Sequence, residues 1–392
     1  MSEPLRVFVI AGELSGDKLG AAMMQGLTEL TSGQVHFQGV GGPRMEAQGL
    51  DSLFPMDEIS IMGITEILSQ YSHLKARIRE TADAVIAARP DVLISIDLPE
   101  FSLRVARLVK AASDIRTVHY VAPTVWAWRP GRAAKMARHI DQVLALFPFE
   151  PPYMEAAGMR CDFVGHPVVT DPVATPDEII AFRDSFDIQG DYLLILPGSR
   201  RSEVGRLAPI FGQVLARVLD ERPGLRPVIP AAAPVADAVM QAAVSWPGNP
   251  VVLDPRSHPD PALKRGAFAG ARAALAASGT VSLELAAAGT PMVVAYDMNW
   301  LSRQVISRML RVDSVTLVNL VTNSRNVPEF IGKACQPAMV AEAVLEVLAH
   351  PEAQQAAMSE TMQKLGKGGG APGLRAAQAV LDGIAESANS GQ

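Results

Sequence analysis

Short apolar runs, each stopped by glycine or proline and followed by a stretch of helical spacing, recur along the chain, and this alternation constrains the fold more than any other feature. Leu5 to Ala11, Val35 to Val40, Asp91 to Asp97, Arg116 to Val121 and Gln142 to Phe147 read as strands of a first half. Runs near Tyr192, Arg226, Pro250, Ala273 and Pro291 repeat the pattern in a second. Tyr192 to Leu196 is apolar throughout and long enough for a strand buried on both faces. Strand, helix, strand in that order implies parallel pairing, because a parallel neighbour is reached only by a crossover. At 392 residues the chain exceeds one ordinary core. Pro148, Pro151, Pro152, Pro167, Pro172 and Pro176 crowd a stiff connection, which puts the domain boundary near residues 165 to 176. The expected fold class is α/β, with two doubly wound Rossmann-like domains facing a cleft. The expected limits are residues 1–170 and 171–373, with a last helix, 374–392, packing back on the first domain.

Composition excludes several function classes. A formal net charge of -6 gives no global attraction to nucleic acid, so anion binding must come from local patches. Two cysteines, Cys161 and Cys335, make neither a disulfide framework nor a metal-ligand spacing, which suits a reducing compartment. No signal-peptide pattern opens the chain, and no run approaches the roughly 20 apolar residues a membrane span needs. The expectation is a cytoplasmic protein that touches a membrane surface.

Chemistry gathers where strands turn into helices. After Leu196, Pro197-Gly198-Ser199-Arg200-Arg201-Ser202 leads into a helix, so backbone N–H groups, hydroxyls and two guanidinia are expected together, as an anion site wants. Ser278-Gly279-Thr280 makes a second such turn, with Glu284 one helical turn on, where a carboxylate can accept from ribose hydroxyls. A plain surface glutamate is the bland reading of Glu284. Near the N-terminus, Gly12-Glu-Leu-Ser-Gly-Asp17 resembles the opening of a Rossmann-type unit without its full glycine fingerprint. Asp97 closes a buried strand just before Pro99; a general base and a helix cap fit it equally. Trp126 and Trp128 sit in a proline-flanked loop, suited to a substrate wall or a hinge. Arg129, Arg132, Lys135 and Arg138 recur every third residue, so one helix would hold them along one side, as a solvated face or as a patch for phosphate or anionic lipid. Leu53 to Tyr71 is rich in apolar residues, among them Ile61, Met62, Ile64, Ile67 and Leu68, which read either as core or as an acyl-chain or membrane contact.

Taken together, AGELSGD (Ala11 to Asp17), VAPTVWAWRPGR (Val121 to Arg132), LFPFE (Leu146 to Glu150), VGHP (Val164 to Pro167), LPGSRRSEV (Leu196 to Val204) and ASGTVSLELAAAGTPMVV (Ala277 to Val294) resemble the lipid-A-disaccharide synthase family. The resemblance runs in order from about residue 5 to about 380. It implies the GT-B fold and an inverting, metal-independent transfer without a cofactor, joining UDP-2,3-diacylglucosamine to 2,3-diacylglucosamine 1-phosphate at the inner face of the cytoplasmic membrane. By the same resemblance Asp97 is the catalytic aspartate. Arg200, Ser278, Gly279, Thr280, Glu284 and Asn319 belong to the nucleotide-sugar side, with Ser199 and Arg201 beside them. Glu13, Ser15, Gly16 and Met62 are expected on the acceptor side, and Arg129, Arg132 and Arg138 at the lipid phosphate. A homodimer is left open, and no nucleic-acid partner is expected. The chain departs from the family after Asp97, where it reads Leu-Pro-Glu-Phe-Ser102, and in Val318 to Arg325, where Asn319 survives but its neighbours differ. Two other readings stay open: another UDP-sugar enzyme of the same architecture, such as an epimerase, and a two-lobed solute-binding protein.

Overall fold

The computed structural model describes residues 3–60, 71–126, 131–298 and 313–390. Two compact units result. One comprises the chain up to Thr170 together with the segment from Leu365 onward; the other is Asp171–Lys364.

Among the described residues the first unit holds seven parallel strands: β1 (Leu5–Ala11), β2 (Val35–Val40), β3 (Asp51–Ser52), β4 (Val92–Ile96), β5 (Arg116–Tyr120), β6 (Gln142–Ala145) and β7 (Arg160–Phe163). They lie in the order β3-β2-β1-β4-β5-β6-β7. Five residues of β1, Val7 to Ala11, and all five of β4 are buried, as a sheet covered on both faces requires. The helix Pro99–Ala112 covers the sheet with Phe101, Val105, Ala106 and Val109, the i, i+4, i+5, i+8 stripe of a one-sided helix. The second unit has β8 (Tyr192–Leu196), β9 (Arg226–Pro230), β10 (Val251–Leu253), β11 (Ala273–Ala276), β12 (Met292–Tyr296) and β13 (Glu329–Ile331), also parallel, in the order β10-β9-β8-β11-β12-β13. Its helix Arg201–Glu221 buries Val204, Leu207, Ala208, Phe211, Val214, Leu215 and Val218 against that sheet.

In each unit the strand order reverses once, between β1 and β4 and between β8 and β11. At such a switch point the two following loops diverge to opposite faces and leave a crevice at the carboxyl ends of the strands.

The last helix, Pro372–Ser390, belongs to the first unit and lies against the helix Leu14–Leu30. The approach is close because it uses glycine. A Cβ on Gly26 would stand 3.0 Å from the Gly373 carbonyl, and one on Gly373 would stand 2.5 Å from the Ala22 carbonyl. The returning chain is tied down before that helix starts. Leu365 accepts the His166 N–H at 3.1 Å, and Arg375 Nη2 donates to the Phe163 carbonyl at 2.8 Å while its guanidinium lies over the Phe163 ring. The VGHP segment thus receives the returning chain through His166.

The strands β3, β7 and β13 have no counterpart among the sequence-based expectations. The helix carrying the basic run is a correction: its described part, Gly131–Met136, ends before Arg138, which therefore shares no helical face with Arg132. The chain must turn within five residues to enter β6, and the His139 and Ile140 N–H groups close that turn on the Met136 carbonyl.

Candidate active site

In the second unit, the turns after β8, β9, β10 and β11 enclose a cavity of about 610 Å³. Ser199 and Arg200 line it from the β8 turn, Ser278, Gly279 and Thr280 from the β11 turn, and Glu284 from the helix Val281–Ala288. Pro230, Ala231, Ala232, Pro255 and Phe268 supply an apolar wall. Gly279 has φ +156, a conformation that suits glycine, while no neighbour crowds the place of a Cβ. The strands stop there because the turn residues end the apolar run.

The β8 turn is not the bare donor nest that the sequence suggests. Arg200 is the N-cap of its helix, and Glu203, three residues on, folds back over it. One Glu203 oxygen accepts the N–H groups of Ser199 at 3.1 Å and Arg200 at 3.3 Å, and the other accepts from Arg200 Nη1 at 3.3 Å. Gly198, at φ +114, leaves the room for it, since a Cβ there would lie 2.6 Å from the Glu203 carboxylate. The Arg200 side chain is nonetheless 72% exposed. Glu284 is paired too: its carboxylate receives Lys264 Nζ at 2.7 Å, and Lys264 also lines the cavity. Neither Glu203 nor Lys264 was expected among the site residues. An acidic residue in the first turn of the helix was the available signal for Glu203, whereas nothing around Lys264 in the sequence marks it.

Two expected residues stand apart from this cavity. Arg201 opens the helix without lining the cavity, and its charge acts on Asp237. Asn319 is fully buried and its amide is spent on the fold. Its nitrogen donates to the Val327 carbonyl and to Glu329, both at 2.9 Å, and its oxygen accepts the Val327 N–H at 3.0 Å. Glu329 also accepts from Ser314 and from the N–H groups of Val315 and Thr316. Burial works to raise that carboxyl, but these hydrogen bonds outweigh it and hold Glu329 below the usual range.

In the first unit, Asp97 and Leu98 follow β4 at the switch point with φ +52 and +48, two successive left-handed residues, neither of them glycine. Such residues are held against a local cost. The Asp97 N–H donates to the Tyr120 carbonyl at 2.9 Å, and the Asp97 carbonyl accepts from Ser102 Oγ at 2.9 Å. The N-cap of the following helix is Leu98, and no side chain caps it, so the capping role considered for Asp97 falls away. The Gly12 turn lies alongside: a Cβ on Gly12 would meet Leu98 Cδ2 at 2.4 Å. Glu13 is the extended N-cap of the helix Leu14–Leu30, and Ser15 is exposed on its first turn. Gly16 is buried against Ala11 and Ile96, where it sets the spacing of helix and sheet. Asp17, buried, caps the short helix Pro43–Glu46 by accepting the N–H groups of Gly42, Arg44 and Met45 at 3.0 to 3.1 Å.

Val121, at φ +82, starts the tryptophan loop; a β-branched residue in that region is a clear outlier. The indole N–H of Trp126 points to the buried Glu150 at 3.4 Å, and Glu150 also accepts the N–H groups of Leu146 and Phe147. Burial pushes the Glu150 carboxyl up to about 7, although those hydrogen bonds pull it down. Arg132 is turned back toward Glu100, at 3.6 Å. Arg138 is exposed. Met62, Arg129, Trp128 and the stretch from Ile61 to Leu68 lie outside the described residues. Among the described residues no helix is long and apolar enough to cross a membrane.

The family model described as Lipid-A-disaccharide synthetase matches residues 7–378. The chain is similar to a lipid-A-disaccharide synthase of Ruegeria pomeroyi, 63% identical over 382 residues that span 96% of this chain and 95% of the relative. Among solved structures it resembles a putative UDP-N-acetylglucosamine 2-epimerase from Listeria monocytogenes, with a TM-score of 0.64 at 14% identity, covering 99% of this chain and 97% of that one. It also resembles the MurG of Acinetobacter baumannii, with a TM-score of 0.55 at 15% identity, covering 98% of this chain and all of that one (100%). Likeness at such identities speaks to the fold alone, and the fold is GT-B, built of two Rossmann-like α/β units.

Proposed function

We propose roles for these residues from one premise: the chain belongs to the lipid-A-disaccharide synthase family. It is a glycosyltransferase that joins UDP-2,3-diacylglucosamine to 2,3-diacylglucosamine 1-phosphate, forms the β-1,6 disaccharide of lipid A and releases UDP.

The second unit takes the donor. The cavity that gathers Ser199, Arg200, Ser278, Gly279, Thr280 and Glu284 at its switch point is the observation that carries this reading. Arg200 meets the diphosphate, the hydroxyls and N–H groups of the Ser278 turn meet its second phosphate, and Glu284 accepts from the ribose. Charge-assisted hydrogen bonds of this kind contribute roughly 1.5 to 3 kcal/mol each. The first unit takes the acceptor, beside the Gly12 to Gly16 turn, with Asp97 as general base. In one displacement the acceptor 6-oxygen bonds to the sugar anomeric carbon, its proton passes to Asp97, and the electron pair of the broken carbon–oxygen bond leaves on UDP. General-base help is typically worth about 10²- to 10⁴-fold.

The acyl chains and the 1-phosphate belong at a membrane surface. Phe54, Met56 and Ile59 are buried in the first unit and so take the core reading, which leaves the apolar residues from Ile61 to Leu68, by their sequence, and the exposed Arg138 to suit that contact, on the cytoplasmic face. Replacing Ile61, Met62 and Ile64 by serine should then reduce flotation with anionic liposomes; unchanged flotation of a folded variant would remove the membrane proposal.

The decisive experiment is a mass-spectrometric assay with both diacylated substrates, comparing the parent with Asp97→Asn and with a control of unacylated UDP-sugar. Disaccharide and UDP from the parent, and their near loss in the variant, are the expected result. Full activity in Asp97→Asn would dismiss Asp97 as the base.

A further inference from the structure

The donor cavity balances its own charges. Its described lining holds two cations, Arg200 and Lys264, and two carboxylates, Glu203 and Glu284. Each cation is matched by one carboxylate, Arg200 with Glu203 and Lys264 with Glu284. Glu203 also takes up the Ser199 and Arg200 N–H groups, so the β8 turn brings little uncompensated positive charge to an incoming anion. A nucleoside diphosphate adds at least two negative charges to this neutral lining. Opening one of the two ion pairs would give that ligand a cation of its own.

The Lys264–Glu284 pair is the one built to open. Glu203 is 15% exposed and held by three hydrogen bonds, whereas Lys264 and Glu284 are 54% and 43% exposed and share a single contact. An exposed pair of this sort contributes little to stability. Lys264 stands on the first turn of the helix Pro261–Ala269, and its Nζ lies over the Phe268 ring, 5.1 Å from the ring centre. A flexible ammonium of this type suits a point contact with phosphate.

We propose that Lys264 is a diphosphate-binding residue of the donor site, parked on Glu284 while the site is empty and transferred to the ligand's phosphates when ribose hydroxyls take its place on the carboxylate. The inference rests on the donor-site reading above. It gives Glu284 two partners in succession, so the carboxylate is neutralised by Lys264 before binding and hydrogen-bonded by the sugar afterwards. The phosphates and the ribose are thereby read together: a ligand lacking either half leaves Lys264 or Glu284 without its exchange partner.

The test is calorimetric titration of the full-length protein with UDP and with uridine, for the parent, Lys264→Met, Lys264→Arg, Glu284→Gln and Arg200→Ala, each checked for an unchanged thermal midpoint. Lys264→Met should weaken UDP about tenfold or more, as loss of one charge-assisted phosphate contact does. It should change uridine less than about threefold and flatten the salt dependence of UDP binding. Lys264→Arg should recover most of the UDP affinity. Equal loss for UDP and uridine, or no loss for either, would overturn the role of Lys264 while leaving the donor site in place. If the parent fails to bind UDP, or binds it equally well in Arg200→Ala and Glu284→Gln, the donor-site reading itself fails, and this inference falls with it.

Discussion

Asp97, Leu98 and Val121 hold left-handed backbones at the ends of β4 and β5, and each such residue costs about 1 to 3 kcal/mol. Ser102 is the side chain that steadies the first of them, through its bond to the Asp97 carbonyl. It stands five residues beyond Asp97, on the first turns of the helix Pro99–Ala112, a support that the sequence alone does not reveal. Ser102→Ala should lower stability by about 1 kcal/mol and lower kcat by roughly tenfold with KM little changed, because a small shift of the base spoils its geometry. Steady-state kinetics beside a urea titration separates the two effects. Glu150 makes a second prediction. Its carboxyl, raised to about 7 by burial, stays protonated in the folded protein where the unfolded chain has already lost the proton. The folded state therefore binds more protons between about pH 4.5 and 7, and stability falls as pH rises across that window. Glu150→Gln keeps an acceptor for the Leu146 and Phe147 N–H groups and removes the charge. Its melting temperature should gain on the parent's from pH 5 to pH 8, with a difference on the order of 2 to 3 kcal/mol at the upper end. A constant difference across that range would exclude the titration. His119 acts in the opposite sense: burial, helped by the charge of Arg132, lowers it to about 4, so its share of stability is lost as pH falls from about 6.5 toward 4.

Among the elements, the long apolar strands were legible because parallel strands covered on both faces carry their burial in every residue, as β4 and β8 do and as β1 does from Val7 onward. The strands β3, β7 and β13 were not, since two to four residues of mixed polarity carry no period to read. Sheet order rather than sequence shows why the site residues fall where they do: only with β1 beside β4 and β8 beside β11 do the Gly12 and Asp97 turns, and the Arg200 and Ser278 turns, meet. What the sequence could not show at Asn319 is that its side-chain amide is bonded to the Val327 backbone and Glu329. The seam between the helices Leu14–Leu30 and Pro372–Ser390 is set by Gly26 and Gly373. Gly373→Val would drive a side chain into the Ala22 carbonyl and should destabilise the first unit by about 1 to 3 kcal/mol. Thermal unfolding followed by tryptophan fluorescence, with UDP binding as a reporter of the second unit, checks that the damage is confined to the first; an unchanged midpoint would mean the seam yields.

On the scale of the whole molecule, the two units divide the chain unequally in kind. The second is one continuous segment, whereas the first is assembled from both ends of the sequence and pinned where His166 meets Leu365. A variant ending at Lys364 should retain UDP affinity within about threefold, because the described donor cavity lies wholly inside the second unit. The same variant should bind an apolar dye through the face of the helix Leu14–Leu30 that carries Ala22 and Gly26, which the last helix otherwise covers. This arrangement also sets a schedule on the ribosome. Translation delivers the helix Leu14–Leu30 near the start and its cover only after the entire second unit has been made, a delay of roughly ten to forty seconds at ordinary elongation rates. Throughout that interval the face of the helix that the last helix will cover stands open, and a holdase chaperone waiting at the exit tunnel would find its docking place there.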